Sequence, residues 1–164
     1  MSDDVTTWVE KAAIREVLST YTSAATRGDW DQLESVFLPD ARWELGPPLD
    51  VVLVGPGAIS EQLRGQCDHQ DFFIQMTHDS LVTLHGPDRA SSVTTIHALA
   101  RQEGAVQIQS HGIYYDDLVK TDEGWKFASR RLQPIFMNTG ELPGPAPITR
   151  AHLHEHDAAW ADRH

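Results

Sequence analysis

Apolar residues along this chain recur first at the spacing of helices and later at the spacing of strands, and the change divides the chain into two parts. From Thr7 onward, Val9, Ala13, Val17, Tyr21 and Ala25 fall four apart, with Ile14 and Leu18 alongside, which is one face of a helix. The spacing predicts a first helix that Thr6 or Thr7 caps, with Glu10 in the first turn and an end near Gly28. Asp29 followed by Gln32 has the form of a capping box opening a short helix through Leu33, Val36 and Phe37, which Pro39 stops. Ala41 to Leu45 alternates as a strand, Gly46-Pro47-Pro48 breaks it, and Val51 to Val54 reads as another. A third helix follows Gly55-Pro56-Gly57, from Ala58 to about Gln66, with Ile59 and Leu63 facing inward.

Period two then takes over. Strands are predicted from Phe72 to Leu84, Ala90 to Arg101, Val106 to Val119 and Trp125 to Leu132. Gly86-Pro87-Asp88, Glu103-Gly104 and Thr121-Asp122-Glu123-Gly124 supply the turns. On the Ala90 strand, Thr94, Ile96 and Ala98 share one face, while Val93, Thr95, His97 and Leu99 share the other. Past Gly112, a position suited to a bulge or bend, both faces of the next strand carry apolar groups: Ile113 and Tyr115 on one, Tyr114 and Leu118 on the other. Such a strand is covered on both sides, by the chain's own helices and by a second subunit. The fold class is therefore α+β, helices first and an antiparallel meander after. A bent sheet with helices on its concave side makes a pocket, with Tyr114 and Asp116 as candidates to line it. Tyr21 lies in the apolar stripe of the first helix, so its hydroxyl needs a partner or a cavity.

After Leu132 the pattern is lost. Pro143-Gly144-Pro145-Ala146-Pro147 reads as a stiff linker, giving a domain over residues 1–142 and an extension over 143–164. His152, His156 and Trp160 would share a face of a short helix in that tail. Its His152-x-His154-x-His156-Asp157 run would present alternate histidines only on a strand, and no other compact ligand cluster accompanies it, so a solvated or subunit-contacting tail is expected and no metal.

Composition narrows the function. Thirteen Lys and Arg against 24 Asp and Glu give a formal charge of -11, and no basic patch is present, which argues against nucleic acid or an anionic membrane as partner. The lone Cys67 excludes an internal disulfide framework. Met1-Ser2-Asp3-Asp4 lacks a signal-peptide pattern and no apolar run reaches membrane-spanning length, so a soluble, cytoplasmic protein is the expectation.

Several short motifs in order, Gly28-Asp29-Trp30-Asp31-x-Leu33, Pro39-Asp40-Ala41 before Trp43, Met76-Thr77-His78, Gly112-x-Tyr114-x-Asp116 and Gly124-Trp125-Lys126-Phe127, resemble the SnoaL-like branch of the nuclear transport factor 2-like superfamily over roughly residues 8–135. The resemblance implies a cone-shaped α+β barrel: a strongly curved antiparallel sheet wrapped around the N-terminal helices, enclosing an apolar pocket and often dimerising through its outer face. Members include scytalone dehydratase, hexachlorocyclohexane dehydrochlorinase, steroid isomerase and polyketide cyclases, which use no metal or organic cofactor. It also implies that His78 matches the base of the eliminating members, that Tyr21 matches a substrate-polarising tyrosine, and that Thr26 stands where the lyases have a carboxylate that orients the histidine. A threonine there offers the imidazole at most a neutral hydrogen bond, so the lyase dyad is not present as written. Asp116 or Asp79 could substitute for that carboxylate, and His97 or His111 could be a second pocket histidine if its parity points inward.

The expected chemistry is proton abstraction from a small hydrophobic polyketide-, steroid- or terpenoid-like substrate, giving dehydration, isomerisation or cyclisation. His78 would act as base, with Tyr21 and Tyr114 donating to the developing oxyanion and Asp116 in support. Thr26, Trp43, His97 and Met76 would contact substrate, with Leu45 and Phe73 as further walls. The alternatives are a non-catalytic domain that holds a small apolar ligand and a structural subunit resembling the β chain of ring-hydroxylating dioxygenases.

Overall fold

The computed structural model describes residues 3–68, 70–102, 106–141, 155 and 158–162. The elements run α1 (Asp3–Arg27), α2 (Trp30–Ser35), β1 (Phe37–Leu45), β2 (Val51–Val54), α3 (Pro56–Cys67), β3 (Gln70–Leu84), β4 (Arg89–Gln102), β5 (Val106–Thr121) and β6 (Gly124–Glu141). The six strands form one sheet in the order β2-β1-β6-β5-β4-β3. β3 to β6 are an antiparallel meander, and β1 joins β6 in parallel. The sheet is curved and open: β2 and β3 are its two edges and do not pair with each other, so the expected barrel is a partial cone.

α1 is longer than the periodicity suggests. It is helical from Asp3, ahead of Thr6 and Thr7, because the apolar pattern registers only the part that packs. Ile14, Leu18, Tyr21 and Ala25 are buried, whereas Val9 and Ala13 remain exposed. Each large side chain in that stripe contributes about 1.5–3 kcal/mol of burial, enough to seat the helix on the sheet. Glu10 anchors the outer turns by accepting hydrogen bonds from Lys120 Nζ and Trp125 Nε1, both at 2.7 Å.

α2 starts as expected, with Asp29 Oδ1 accepting from Gln32 N at 3.1 Å. It ends at Ser35, and Phe37 already begins β1, so Pro39 lies inside a strand and not at a helix stop. The register between β1 and β6 shifts between Phe37 and Arg42, and in that irregular stretch the missing N–H of Pro39 leaves no ladder bond broken.

Four further register breaks accompany the sheet's curvature: Gln70/Phe72 and Thr77/Ser80 on β3, His111/Gly112 and Asp117/Leu118 on β5. Gly112 fills the predicted bulge. A Cβ there would meet the carbonyl oxygen of Gln133 at 2.7 Å, so the approach of β6 demands a glycine. β6 itself continues to Glu141, well past Leu132, pairing with the first half of β5. Ile135, Phe136 and Met137 are exposed, so this extension has no buried face and hence no alternation to read. The Pro-rich linker and the histidines of the tail, with the domain boundary placed there, fall outside the described residues. Glu155 and Ala158 to Ala161 are helical.

Candidate functional site

The concave face of the sheet and the helices enclose a cavity of about 370 Å³. β4 runs along it with Ile96, Ala98, Ala100 and Gln102, the face that Thr94 shares. Trp43 and Leu45 of β1, Leu63 of α3, Phe73 and Gln75 of β3, Tyr114 of β5 and Leu132 of β6 close the other sides. Its polar groups are neutral: four glutamines (Gln66, Gln70, Gln75, Gln102), Ser110, the Tyr114 hydroxyl and the Trp43 indole. Among the described residues no Asp, Glu, Lys, Arg or His lines it.

At the α1 side of the cavity Gln75 and Tyr114 meet. Gln75 Nε2 donates to the Tyr114 hydroxyl at 3.3 Å, and both side chains are buried. Thr26 fixes the Gln75 backbone, its Oγ1 accepting from Gln75 N at 3.1 Å and donating to Gln75 O at 3.4 Å. The end of α1 is thereby clipped to β3.

Behind Tyr114 lies a buried polar core. The Arg130 guanidinium is fully buried among three rings, 3.8 Å from the Tyr114 centroid, 4.1 Å from Tyr21 and 4.5 Å from Phe127. Its charge is met by Asp116, Nε to Oδ1 at 3.5 Å, too long for a hydrogen bond. Ser92 Oγ donates to the other Asp116 oxygen at 2.8 Å. Burial pushes the Asp116 carboxyl up, and Arg130 and Ser92 only partly offset it. Tyr21 is enclosed by Phe37, Tyr114 and Phe127, each edge-on to its ring. Burial, and then the neighbouring Tyr114, push its phenol well above the ordinary value. The Tyr21 hydroxyl is close enough to Tyr114 to interact but not in hydrogen-bond geometry, so it is left without a partner.

The structure therefore redistributes the expected site. Tyr114 and Trp43 do line the cavity, as do Leu45 and Phe73. His78 does not. It is exposed, in the β3 bulge that precedes Ser80, and borders a separate recess with Arg15, Ser19 and Asp79. Asp79 is exposed beside it and also borders that recess. Met76 and His97 face the opposite side of the sheet, because they share parity with Ile74 and Val93. His97 there stacks on His111 with ring centroids 4.2 Å apart. Thr26 borders a recess between α1 and β3, not the cavity, and faces Gln75 where an imidazole was expected. Tyr21 and Asp116 stand behind the cavity wall, in the core that supports Tyr114.

A family model described as a SnoaL-like domain matches residues 7–131. The chain belongs to the SnoaL-like family. A protein of Novosphingobium aromaticivorans assigned provisionally as a scytalone dehydratase shares 20% identity, with 88% of this chain and 97% of that one covered at a TM-score of 0.76. A type-3 hexachlorocyclohexane dehydrochlorinase from Novosphingobium barchaimii shares 18% identity over 90% and 97% of the two chains, with a TM-score of 0.73. At these identities the likeness is one of fold. Among curated proteins no sequence match is found.

Within that SnoaL-like fold, Gln75, Gln70, Gln102 and Arg130 are the site residues that the motif reading passes over. Parity offered the signal for one of them, since Phe73, Gln75 and Thr77 alternate on one face of β3 and set His78 apart from it. Nothing comparable marks Arg130: a charged residue on a strand ordinarily faces water. Among the described residues no group of three or more His, Cys, Asp or Glu side chains is placed to hold a metal, and no helix is long and apolar enough to cross a membrane.

Proposed function

We propose that this chain takes a small, uncharged, largely apolar molecule into the cavity and polarises it through neutral hydrogen-bond donors. The observation that carries this is the lining: an apolar wall interrupted by amides, a phenol and an indole. Desolvating a charged ligand against it would be unfavourable, and burying a neutral one against Ile96, Ala98, Leu63 and Leu132 favourable. Membership of the SnoaL-like family, and the fold shared with a provisional dehydratase and a dehydrochlorinase, support a cofactor-independent lyase- or isomerase-type step. In that step Tyr114, held by Gln75, would donate to the oxygen on which negative charge develops.

A second reading, a domain that binds without turnover, is favoured by one observation: among the described residues no general base lines the cavity wall. Ala98→Trp tests the shared claim by filling the cavity. Uptake of apolar cyclic ketones, followed by fluorescence, should be lost with the melting temperature kept within a few degrees. Unchanged uptake would refute the site. Conversion of bound ketones, followed by mass change, then separates the two readings.

We further propose that a second copy of the chain covers the outer face of the sheet, where Ile74, Met76, Leu81, Val93, Tyr115 and Phe136 are exposed. Val93→Lys at the middle of that face should convert a dimer to a monomer by solution mass, and a monomeric parent would sink the idea.

A further inference from the structure

Three histidines, His78, His97 and His111, lie close enough on β3, β4 and β5 to act on one another, away from the cavity wall. His97 and His111 are direct register partners, their rings stacked 14° from parallel with centroids 4.2 Å apart. Met76 of β3 pairs with His97 and Phe136 of β6 with His111, so the outer face carries a Met-His-His-Phe row across four strands. His97 Nε2 is buried without a hydrogen-bond partner. A proton added there would create a buried cationic donor with nothing to accept it. The charges that act on His97 are those of His111 and His78, and no carboxylate compensates them. Asp71 and Asp117, on the strands to either side of β4, are bonded to Arg101 and Ser129, and Asp79 borders the recess toward α1. Arg131 of β6 pairs with Tyr115, not with a histidine.

We propose that this cluster makes association through the outer face pH-dependent: two copies stay joined while the imidazoles are neutral and part when they take up protons. The proposal rests on a second copy covering that face and adds what controls it. The chain has a formal charge of -11, so two copies repel over most of their surface. The outer face is where they can meet, because Ile74, Met76, Val93, Tyr115 and Phe136 are exposed around the stacked histidines and no carboxylate lies in that row. Covering the pair takes it further from water and raises the cost of charging it. The dimer therefore binds fewer protons than two separate copies, and falling pH favours separation. Both copies present the same patch, so protons are taken up in pairs. Each proton gained on dissociation weakens association by about tenfold per pH unit, which makes the transition steep through the imidazole range.

The test follows the solution mass of the full chain by sedimentation from about pH 8 to about pH 5.5, across the histidine range, with circular dichroism recorded at each step. The parent should be a dimer at the upper end and a folded monomer at the lower, its dissociation constant rising by about a hundredfold or more. The double variant His97→Asn/His111→Asn keeps two polar, uncharged side chains on the face, and its dissociation constant should change by less than about threefold over the same range. Where that variant does not associate at all, the parent decides. Its dissociation on dilution, followed by calorimetry in two buffers of different ionisation enthalpy, should take up protons, and no uptake overturns the inference. A parent that stays dimeric with an unchanged dissociation constant overturns it too and leaves the dimer standing. A parent that is monomeric throughout overturns the dimer as well. A pH profile that survives in the double variant, or dissociation that coincides with loss of the folded signal, also counts against the histidines and overturns the inference.

Discussion

Arg130 and Tyr114 are stacked in the interior, the guanidinium 3.8 Å from the ring centre, with no water-accessible surface left on the arginine. That contact ties the cavity wall to the counter-charge of Asp116, which is itself buried and held up in pKa by desolvation. Removing one member of such a pair strands the other. Arg130→Met should therefore cost about 3–5 kcal/mol in urea unfolding, and adding Asp116→Asn should recover much of the loss. A double variant no more stable than Arg130→Met alone would show that Asp116 is not what the arginine serves.

The sequence made the frame legible because burial imposes a period on it. β4 alternates as its spacing foretells, and Gly112 marks the bulge it was expected to mark. The last part of β6 was not legible, since a strand exposed along its length has no apolar face to betray it. Of the cavity wall, Tyr114, Trp43, Leu45 and Phe73 were legible, because each also lies in or against the core. His78 lies outside the cavity wall because Phe73, Gln75 and Thr77 take the inward parity of β3 and the next residue falls on the other side, which motif spacing does not register.

Glycine substitutions separate the two kinds of glycine here. Gly112→Ala forces a Cβ against the Gln133 carbonyl oxygen and the Leu132 side chain, so a loss of about 1–3 kcal/mol is expected. Gly65 lies within α3, and a Cβ there meets nothing within 4 Å. Gly65→Ala should stabilise by about 0.5–1 kcal/mol, as alanine does in place of glycine in a helix. Thermal melts of the two variants should move in opposite directions.

Acid sensitivity should trace to the outer face. Burial, then the charge of His111 stacked on it, then that of His78, hold the His97 imidazole below its ordinary value of 6.5. A histidine depressed in the folded state binds fewer protons there than in the unfolded chain. Stability is therefore fully present above about pH 6.5 and falls as pH drops from there through the lower folded value. His97→Asn should flatten that part of the stability profile. Glu10 works at lower pH: hydrogen bonds from Lys120, then from Trp125, hold its carboxyl below 4.5, so its contribution is present above 4.5 and lost as pH falls further. Glu10→Gln should remove this second decline and leave the first.

The sharpest division is between His78 and Tyr114. His78 is exposed outside the cavity, whereas Tyr114 is buried in its wall with Gln75 bonded to its hydroxyl. If the ligand occupies the cavity, His78→Ala should leave uptake and any turnover of cyclic ketones within about twofold of the parent, because a surface change away from the ligand ordinarily perturbs little. Tyr114→Phe keeps the ring on Arg130 and removes only the hydroxyl. For a binding-only domain it should weaken ketone affinity by about tenfold, the worth of one neutral hydrogen bond. For an enzyme it should lower turnover by about a hundredfold or more, as loss of an oxyanion donor does, with affinity changed less. A His78→Ala variant that binds normally but no longer turns over would reverse this assignment and return the imidazole to the chemistry, reaching the substrate through the recess that it shares with Arg15 and Ser19.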